Sequence, residues 1–498
     1  MTVYDPQSDK FIALYNKDHQ WKNGNRKLWK ALRKFTYMLR RVFPDRFTST
    51  QSELVIPIGS GDYPHVNPTK LPHTNGVAPV LMFGSAFRDP QMYSNMIAMP
   101  MPENHHLDCF LEWVEHDYST VCDLLQSGAL VFGEEEGLEY DMLIVSLCCC
   151  DEMSAECVLC TSCVSFISLL THIIPPSLKR HAQPQLIWRG TDFGYLPTIS
   201  RTSHGPAFSS PNPANFVRGS SDSKNLPHPN DTGDEHERRV NAIQALNDQI
   251  DTLLPRWKGV AITAEAELEA EENTEDENAM PWANIKFSAF LEKPIGKQPT
   301  IGSDKYAAWE SVGIAVGQGM PLTDLAKYKY HIDLGGGGGT TWSGTIEKLA
   351  MPGLLFHHMT PTKDYIHDHL KPWKHYIPVN AHLSDLKQKF DWAESHPQQA
   401  KRISDAGTTF MRELGTPEGF GRIFDLNFVD PIQRVINAYQ PVAEGMTWRD
   451  VLASMGAENR MIEVMECTGT SYNYNSCQMI GGEDVERFQS NGYYEEVE

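Results

Sequence analysis

The sequence lacks long apolar runs and an excess of positive charge, and each deficit excludes a class of protein. No segment reaches the roughly 18 consecutive apolar residues of a membrane-spanning helix, and no apolar signal core is visible at the N-terminus. Lys and Arg number 43 against 64 Asp and Glu, for a formal charge of −21. Because nucleic acids are bound through clustered Lys and Arg, we expect no nucleic-acid partner.

Short catalytic signatures are missing as well. There is no Asp-x-Asp pair of the kind that holds a metal–nucleotide complex, no Gly-x-Ser-x-Gly elbow and no His-Glu-x-x-His. The histidines that cluster between His357 and His375 have no zinc spacing, so we expect them to be hydrogen-bonded in the core or to lie on the surface. The sequence therefore predicts that no metal is required.

The ten cysteines are distributed unevenly, and they do not settle the redox compartment. Cys157, Cys160 and Cys163 have a CxxCxxC spacing that would suit zinc or an iron–sulfur cluster if one residue of 148–150 supplied a fourth ligand. Because the stretch 141–174 has no pattern of a buried element, we favour a dispensable or intron-derived segment instead. Four cysteines lie elsewhere: Cys109, Cys122, Cys467 and Cys477.

Hydrophobic residues make up 41% of the 498 residues, enough for two large domains or about three smaller ones. Residues 21–43 are predicted to form a basic amphipathic helix, either docked by its apolar side or lying on an anionic membrane. A strand is predicted at 53–58, and Pro57 places it at a sheet edge or lies near the end of the strand. A helix is predicted over 240–253, and the acidic segment 265–277 is expected to be a solvated insertion.

The region from 328 to 379 is predicted to contain a strand, a glycine loop, a helix and two more strands in succession. This order of elements is typical of a parallel α/β sheet. Backbone N–H groups of such a loop can approach an anion closely, and a pyrophosphate is the natural ligand. A flexible loop without a ligand is the alternative. The loop residues are Gly335, Gly336, Gly337, Gly338, Gly339, Thr340 and Thr341.

Two further positions have two interpretations each. Arg189, next to Gly190 at the end of an apolar segment, would be either a phosphate ligand or a surface ion pair. Asp62, in a glycine-rich turn after a strand, would be either a general base or a cap of its own turn. Asp364 and His375 are expected near the same cleft, with no role assigned.

Taken together, these segments resemble glycosyltransferase family 90, the protein O-glucosyltransferases and CAP10-like xylosyltransferases, in a glycine-rich, algal-type version. The strong match covers roughly residues 180–415, and a weaker one covers 50–115. The segments that carry it are LVIPIGSGDYPHV at 54–66, WRGT at 188–191, PWANIKFS at 281–288, the glycine-loop block at 327–358 and LKPWKHYIPVNAHLSDL at 370–386.

The resemblance implies an α/β fold of the GT-B type, in which two Rossmann-like domains face a cleft. It divides the chain into a basic N-terminal segment at 1–50, an acceptor-side domain at 51–184 that contains the cysteine-rich stretch 141–174, a UDP-sugar-binding domain at 185–425, and a C-terminal helix and polar tail at 426–498.

The resemblance also implies roles for individual residues. Asp62 is expected to be the catalytic base, while Arg189, Gly190 and the glycine loop bind the donor. The arginines that the glucosyltransferases carry in and just after this loop are replaced here by Gly, Thr, Trp342 and Ser343. The charge of the diphosphate would then rest on loop amides, Arg189 and Lys348.

The expected activity is that of an inverting glycosyltransferase, which moves glucose or xylose from a UDP-sugar to a hydroxyl of a protein or glycan without a cofactor. The location that the resemblance implies is the lumen of the endoplasmic reticulum or Golgi. Because no signal peptide is visible, a cytoplasmic location is the alternative. The alternative is a non-catalytic glycan- or nucleotide-binding relative. A nicotinamide oxidoreductase is disfavoured, because the fingerprint glycine and the ribose-binding acid are missing.

Overall fold

The structure is a computed structural model that describes two five-stranded sheets, one antiparallel and one parallel, which confirms the α/β class. Asp62, residues 337–341 and the stretch 141–174 lie outside the described residues. The described residues are 2–16, 24–58, 80–82, 85–86, 96–99, 106–115, 183–191, 234–248, 250–251, 253–272, 280–289, 310–316, 319–336, 344–360, 362–440 and 462–480.

The first sheet begins with a hairpin that the sequence analysis did not anticipate. β1 (Thr2–Asp5) and β2 (Lys10–Asn16) pair antiparallel around a turn in which Asp9 has a φ of 52°. β3 (Leu54–Ile56) pairs with the other side of β1 and forms the sheet edge, as predicted from Pro57. Residues 2–16 therefore contribute two strands to a sheet, and 1–50 is not a separate basic segment.

The basic helix expected at 21–43 is present as α1 (Gly24–Val42), and its apolar side packs in the core. The alternative of a helix lying on a membrane is wrong for α1, because the face that would enter lipid is already buried in protein. Five residues of that face have no exposed surface: Ala31, Leu32, Phe35, Met38 and Leu39.

Short elements follow the first three strands. They are β4 (Val80–Met82), β5 (Ser85–Ala86), β6 (Met96–Ala98) and α2 (His106–Glu115). β4 and β6 pair in parallel, and Ile58 forms a parallel bridge with Leu81. Phe110 of α2 packs against Phe420 and Phe424, so the N-terminal part shares a core with later helices.

The second sheet occupies the middle of the chain. Its strands are β7 (Gln183–Thr191), β8 (Ala283–Ala289), β9 (Tyr328–Asp333), β10 (Leu354–His358) and β12 (Ile377–Val379). All four neighbouring pairs are parallel, in the order β12-β10-β9-β7-β8. Counted from β7, this is the order 2-1-3-4-5 of a doubly wound sheet.

Helices cover both faces of this sheet. Leu354 and Phe356 of β10 point to the core that contains α4, whereas Leu355 points to the core that contains α6. The elements between and after the strands are α3 (Glu235–Asn247), α4 (Pro255–Glu272), α5 (Leu322–Leu325), α6 (Gly344–Ala350), β11 (Thr362–Lys363), a 3₁₀ helix (Tyr365–Asp368), α7 (Leu386–Ser395) and α8 (Pro397–Leu414).

The expectation of a solvated insertion at 265–277 is wrong as far as residue 272. These residues continue α4, in which Ala264 and Ala266 are buried. Glu267 is paired with Arg239 and with Lys286 of the neighbouring strand. The helix was not predicted here because the residues that face the core in this part of α4 are small alanines rather than large apolar residues.

The last described residues of the chain return to the first sheet. After α9 (Pro417–Phe424), a π-helical turn (Asp425–Val429) and α10 (Asp430–Ala438), β13 (Ile462–Cys467) pairs with β2, and β14 (Cys477–Ile480) pairs with β13. Cys467 and Cys477 stand opposite each other and form a disulfide. Residues 462–480 are thus strands rather than a polar tail. Among the helices of the described residues, none is long and apolar enough to cross a membrane.

Candidate functional site

The strand order creates a crevice at one edge of the parallel sheet. From β7 the chain first crosses to β8 on one side and then to β9 on the other, so the connections leave the carboxyl ends of β7 and β9 in opposite directions. Doubly wound sheets bind ligands at such a switch point. β7 ends in Arg189, Gly190 and Thr191, and β9 leads into Gly335 and Gly336. The fold therefore brings together two segments that the sequence analysis singled out separately.

The glycines at this edge allow close approach of neighbouring groups. A Cβ at Gly336 would lie 3.0 Å from Nη2 of Arg256, and a Cβ at Gly190 would lie 2.4 Å from the ring of Trp188. A larger residue at either position would have to displace a side chain beside the crevice.

A neutral histidine holds the start of the glycine loop. The backbone N–H of Gly335 donates to Nδ1 of His358 at 3.1 Å, and Nε2 of His358 donates to the carbonyl oxygen of Ala381 at 3.0 Å. Burial lowers the pKa of His358 to about 4. At neutral pH the imidazole therefore keeps one acceptor nitrogen, which the loop amide needs.

A buried carboxylate at the end of β9 joins three elements. Oδ2 of Asp333 accepts hydrogen bonds from Oγ1 of Thr345 at 2.6 Å and from Nδ1 of His357 at 2.7 Å, and Oδ1 accepts from the backbone N–H of His358 at 3.0 Å. Burial acts to raise the pKa of Asp333, but the contacts with His357 and Thr345 together with the charge of Lys348 hold it below its ordinary value. The carboxylate is therefore ionised and fixes β9 to β10 and α6.

Lys348 lies in α6, the helix that follows the glycine loop in sequence. Its ammonium is buried, and Nζ donates to the carbonyl oxygen of Gly344 at 3.3 Å. Burial lowers the pKa of Lys348, and the positive charge of Arg256 acts in the same direction, while Glu347 and Asp333 oppose it. The residue predicted as a donor ligand is thus close to the other charges of the site.

Arg189 stands at the predicted strand end, but its guanidinium turns back along the sheet. Nη1 donates to the carbonyl oxygens of Trp188 at 2.8 Å and Asn284 at 2.6 Å, and Nη2 donates to Oδ1 of Asn284 at 2.9 Å. In register, Arg189 faces Lys286, so Asn284 lies two residues toward the start of β8. In this structure Arg189 ties β7 to β8, and its role as a phosphate ligand stays a prediction.

The remaining histidines are engaged in hydrogen bonds. Nδ1 of His367 contacts Oδ1 of Asp364 at 2.6 Å in a capping box at the start of the 3₁₀ helix, and its ring centroid lies 4.8 Å from that of His357. Burial opposes protonation of His367, but the charge and hydrogen bond of Asp364 raise its pKa. His375 accepts the backbone N–H of Lys371 at 3.1 Å, in the turn before β12.

Three residues that support the crevice were missed from the sequence: Arg256, Asp333 and His358. Asp333 directly precedes the loop, and an acidic residue at a strand end was an available signal. Arg256 follows Pro255 at a helix start, which by itself predicts nothing about the strands it contacts. Within the described part of the chain, no three His, Cys, Asp or Glu side chains come together as a metal site.

An α/β sheet with a glycine loop at its switch point is the class of fold that binds nucleotides at this edge. Residues 295–416, which contain β9, the glycine loop, β10 and β12, match the model of glycosyl transferase family 90. This match confirms the predicted resemblance to glycosyltransferase family 90 over residues 295–416.

Curated relatives match over short segments. Protein O-glucosyltransferase 2 of Danio rerio is 37% identical over 95 residues, 18% of this chain and 17% of that protein. Protein O-glucosyltransferase 3 of Homo sapiens is 31% identical over 104 residues, 20% of this chain and 19% of that protein. Protein O-glucosyltransferase 1 of Homo sapiens is 29% identical over 124 residues, 23% of this chain and 31% of that protein. The chain thus spans less than a third of the length of each of these relatives.

Proposed function

We propose that this protein is an inverting glycosyltransferase that transfers glucose or xylose from a UDP-sugar to a hydroxyl of a protein or glycan. The observation that carries the proposal is the switch point, where Gly190 at the end of β7 and Gly335–Gly336 after β9 lie at the ends of neighbouring parallel strands. Gly335 and Gly336 also lie within residues 295–416, the region that matches family 90. The relatives' name, protein O-glucosyltransferase, favours glucose as the sugar and a protein as the acceptor.

In the proposed reaction, Asp62 accepts the proton of the acceptor hydroxyl while its oxygen attacks the anomeric carbon. The sugar passes through an oxocarbenium-like state, the anomeric configuration inverts, and UDP leaves. Loop amides from Gly335 to Thr341 and the ammonium of Lys348 stabilise the negative charge that grows on the diphosphate. Arg189 contributes from the neighbouring strand, by its charge and by fixing β7 to β8.

We extend the proposal to the arrangement of the chain and its location. The acceptor would bind on the side of the first sheet and the donor on the side of the second, as in a GT-B enzyme. The disulfide between Cys467 and Cys477 favours an oxidising compartment, which supports the lumen of the endoplasmic reticulum or Golgi. No metal is invoked, because protein groups supply the positive charge at the crevice.

The test is a donor screen that measures UDP release and acceptor mass. UDP-glucose, UDP-xylose and UDP-N-acetylglucosamine would each be supplied with serine-containing proteins and with glycan acceptors, in EDTA and in manganese. We expect turnover with glucose or xylose that survives EDTA. Loss of turnover in EDTA with recovery in manganese would contradict the metal-free reaction. UDP binding without turnover on any donor would support the non-catalytic relative instead.

A further inference from the structure

An exposed tryptophan lies at the amino end of β12, on the side of the parallel sheet away from the glycine loop. Residues 371–374 form an exposed turn that precedes β12, whereas the glycine loop follows the carboxyl end of β9. Because these strands and β10 between them are parallel, the turn and the loop lie at opposite edges of the sheet. Trp373, in the turn, is 46% exposed.

The backbone of Trp373 adopts a conformation that a bulky residue rarely has. Its φ is 60°, in the left-handed region. Hydrogen bonds hold the turn in this shape: the N–H of Trp373 donates to the carbonyl oxygen of Tyr376 at 2.8 Å, and the N–H of His375 donates to that of Lys371 at 2.9 Å. A large ring that stays exposed gains little from burial to offset this strain, and strain of this kind is typical of ligand-binding positions.

Two neighbours fix the orientation of the exposed indole. The ring of Trp392 in α7 meets it at an angle of 80°, with the centroids 5.0 Å apart, and the ammonium of Lys389 lies 5.8 Å from its centroid. On Trp392 in turn stacks the ring of His396, at an angle of 14° and a centroid distance of 5.0 Å. Trp373 and Trp392 therefore form a rigid, right-angled aromatic corner.

The aromatic corner has the chemistry and the size of a surface that binds one sugar ring. The C–H groups on one face of a pyranose pack on the electron-rich face of an indole, while its hydroxyls need hydrogen-bonding groups beside the ring. Exposed side chains with such groups adjoin the corner, since Lys374 follows Trp373 and His396 stacks on Trp392.

A docked protein is a poorer match for the same surface. A stable protein interface covers about 800 Å² of each partner and has an apolar centre. The other residues of the turn are Lys371, Pro372 and Lys374, so the exposed apolar surface here is close to that of one indole. A single pyranose ring is of that width.

We propose that Trp373 and Trp392 form an auxiliary glycan-binding site, which takes a pyranose ring of a neutral glycan against the indole of Trp373. This inference goes beyond the proposed function, because the site lies at the edge of the sheet opposite the glycine loop and binds sugar without turnover. Together with the crevice, such a site would retain a glycosylated acceptor or product on the protein.

The experiment compares the wild type with Trp373→Asn and Trp373→Tyr in the full chain. Asn tolerates the left-handed backbone and removes the ring, whereas Tyr keeps an aromatic face. Tyr474→Ala is the matched control, because Tyr474 is a comparably exposed ring, at 39%, in the turn between β13 and β14. Saturation-transfer NMR titrations would measure the affinity of each protein for the neutral disaccharides cellobiose and xylobiose.

We expect the wild type to bind a disaccharide with a Kd on the order of 1 mM, because an open site covers only one face of the sugar. Trp373→Asn should weaken binding about tenfold, as for the loss of one aromatic contact, and Trp373→Tyr should recover part of it. The control should bind as the wild type does. If Trp373→Asn does not fold, Trp373→Tyr decides: weaker but measurable binding is expected, and an affinity equal to that of the wild type overturns the inference.

The outcomes separate this inference from the proposed function. Equal sugar affinity in the wild type and Trp373→Asn overturns the inference, because the sugar then binds elsewhere. A wild type that binds neither disaccharide overturns it too, and so does one that binds no sugar but self-associates through Trp373 in light scattering. All three results leave the proposed function to the donor screen. Sugar binding that depends on Trp373 in a protein without turnover supports the inference and overturns the proposed function.

Discussion

The two sheets differ in how their strands are connected. The parallel sheet provides the candidate ligand site, whereas the antiparallel sheet joins the two ends of the described chain. The parallel sheet takes its strands from residues 183–379, and its strand order has a switch point between β7 and β9, where such sheets bind ligands. The antiparallel sheet joins strands from 2–56 to strands from 462–480 and carries a disulfide. Changes at the crevice should therefore alter ligand affinity, whereas changes in the antiparallel sheet should alter stability.

The two sheets nevertheless share one hydrophobic core. Phe35 of α1 packs edge-on against Phe428, and Leu349 of α6 belongs to the same cluster. Nδ2 of Asn427 donates to the carbonyl oxygen of Ala98 at 2.9 Å, which ties the C-terminal helices to the N-terminal strands. The sheets therefore do not differ by packing in separate cores but by the property that each is expected to control, ligand affinity or stability. For this reason both properties are measured for the variants below.

The variant with the largest expected effect tests whether Asp62, on the acceptor side, is needed for turnover but not for binding of the donor. Asp62→Asn keeps the shape of the side chain but cannot accept a proton. We expect turnover to fall about 10²- to 10⁴-fold, the usual contribution of a general base, with UDP affinity unchanged. Turnover by UDP release and UDP affinity by calorimetry check both parts.

Asp391→Asn is the matched control, because Asp391 is exposed on α7 and pairs only with Lys387 among its described side-chain ion pairs. It should leave turnover as it is. Near-normal turnover of Asp62→Asn with a lowered melting temperature would mean that Asp62 caps its turn, and the assignment as the base would be wrong.

The second prediction concerns the disulfide that links β13 and β14 of the antiparallel sheet. The double variant Cys467→Ser/Cys477→Ser opens a disulfide between residues ten apart in sequence. Loss of a disulfide across such a short loop should lower the free energy of unfolding by about 2–3 kcal/mol, since the unfolded chain regains freedom. UDP affinity should not change. Denaturant unfolding and calorimetry measure the two quantities, and a large loss of UDP affinity would contradict the separation.

The same contrast explains what could be predicted from the sequence. The strand, loop, helix and strand over 328–358 were predictable, because apolar runs and glycines mark each boundary locally. The pairing of β2 with β13 was not, because residues at opposite ends of the chain show no local signal of each other. The roles of Arg256 and His358 depend on strand order, which becomes visible only once the sheet is assembled.

The third prediction tests whether the crevice tolerates a side chain at the glycine loop. Gly336→Val would place a branched side chain against Nη2 of Arg256, only 3.0 Å from the new Cβ. UDP affinity should fall by more than about tenfold, because the backbone can no longer approach the diphosphate. Gly319→Val is the control, since nothing lies within 4 Å of the Cβ it would gain. Unchanged UDP affinity in Gly336→Val would remove this part of the loop from the site.

The smallest expected effect is a pH dependence of the free energy of unfolding that comes from buried histidines of the parallel sheet. Burial lowers the pKa of His331 and of His358 to about 4, so both side chains stay neutral in the folded parallel sheet and gain protons on unfolding as the pH falls below about 6.5. Between pH 6.5 and 5.5 each should reduce the free energy of unfolding by roughly 1 kcal/mol. His367, with its raised pKa, acts in the opposite direction, because its contribution is complete at low pH and is lost as the pH rises through that pKa.

Denaturant unfolding at the two pH values measures this slope. His331→Gln removes one of the two neutral histidines and should flatten the slope by about half of their joint contribution. The exposed His396 on the turn after α7 offers the control, and His396→Gln should leave the slope as it is. A slope that His331→Gln does not change would mean that the pKa of His331 is not lowered by folding, because the hydrogen bond to the carbonyl oxygen of Pro352, which raises that pKa, offsets the effect of burial.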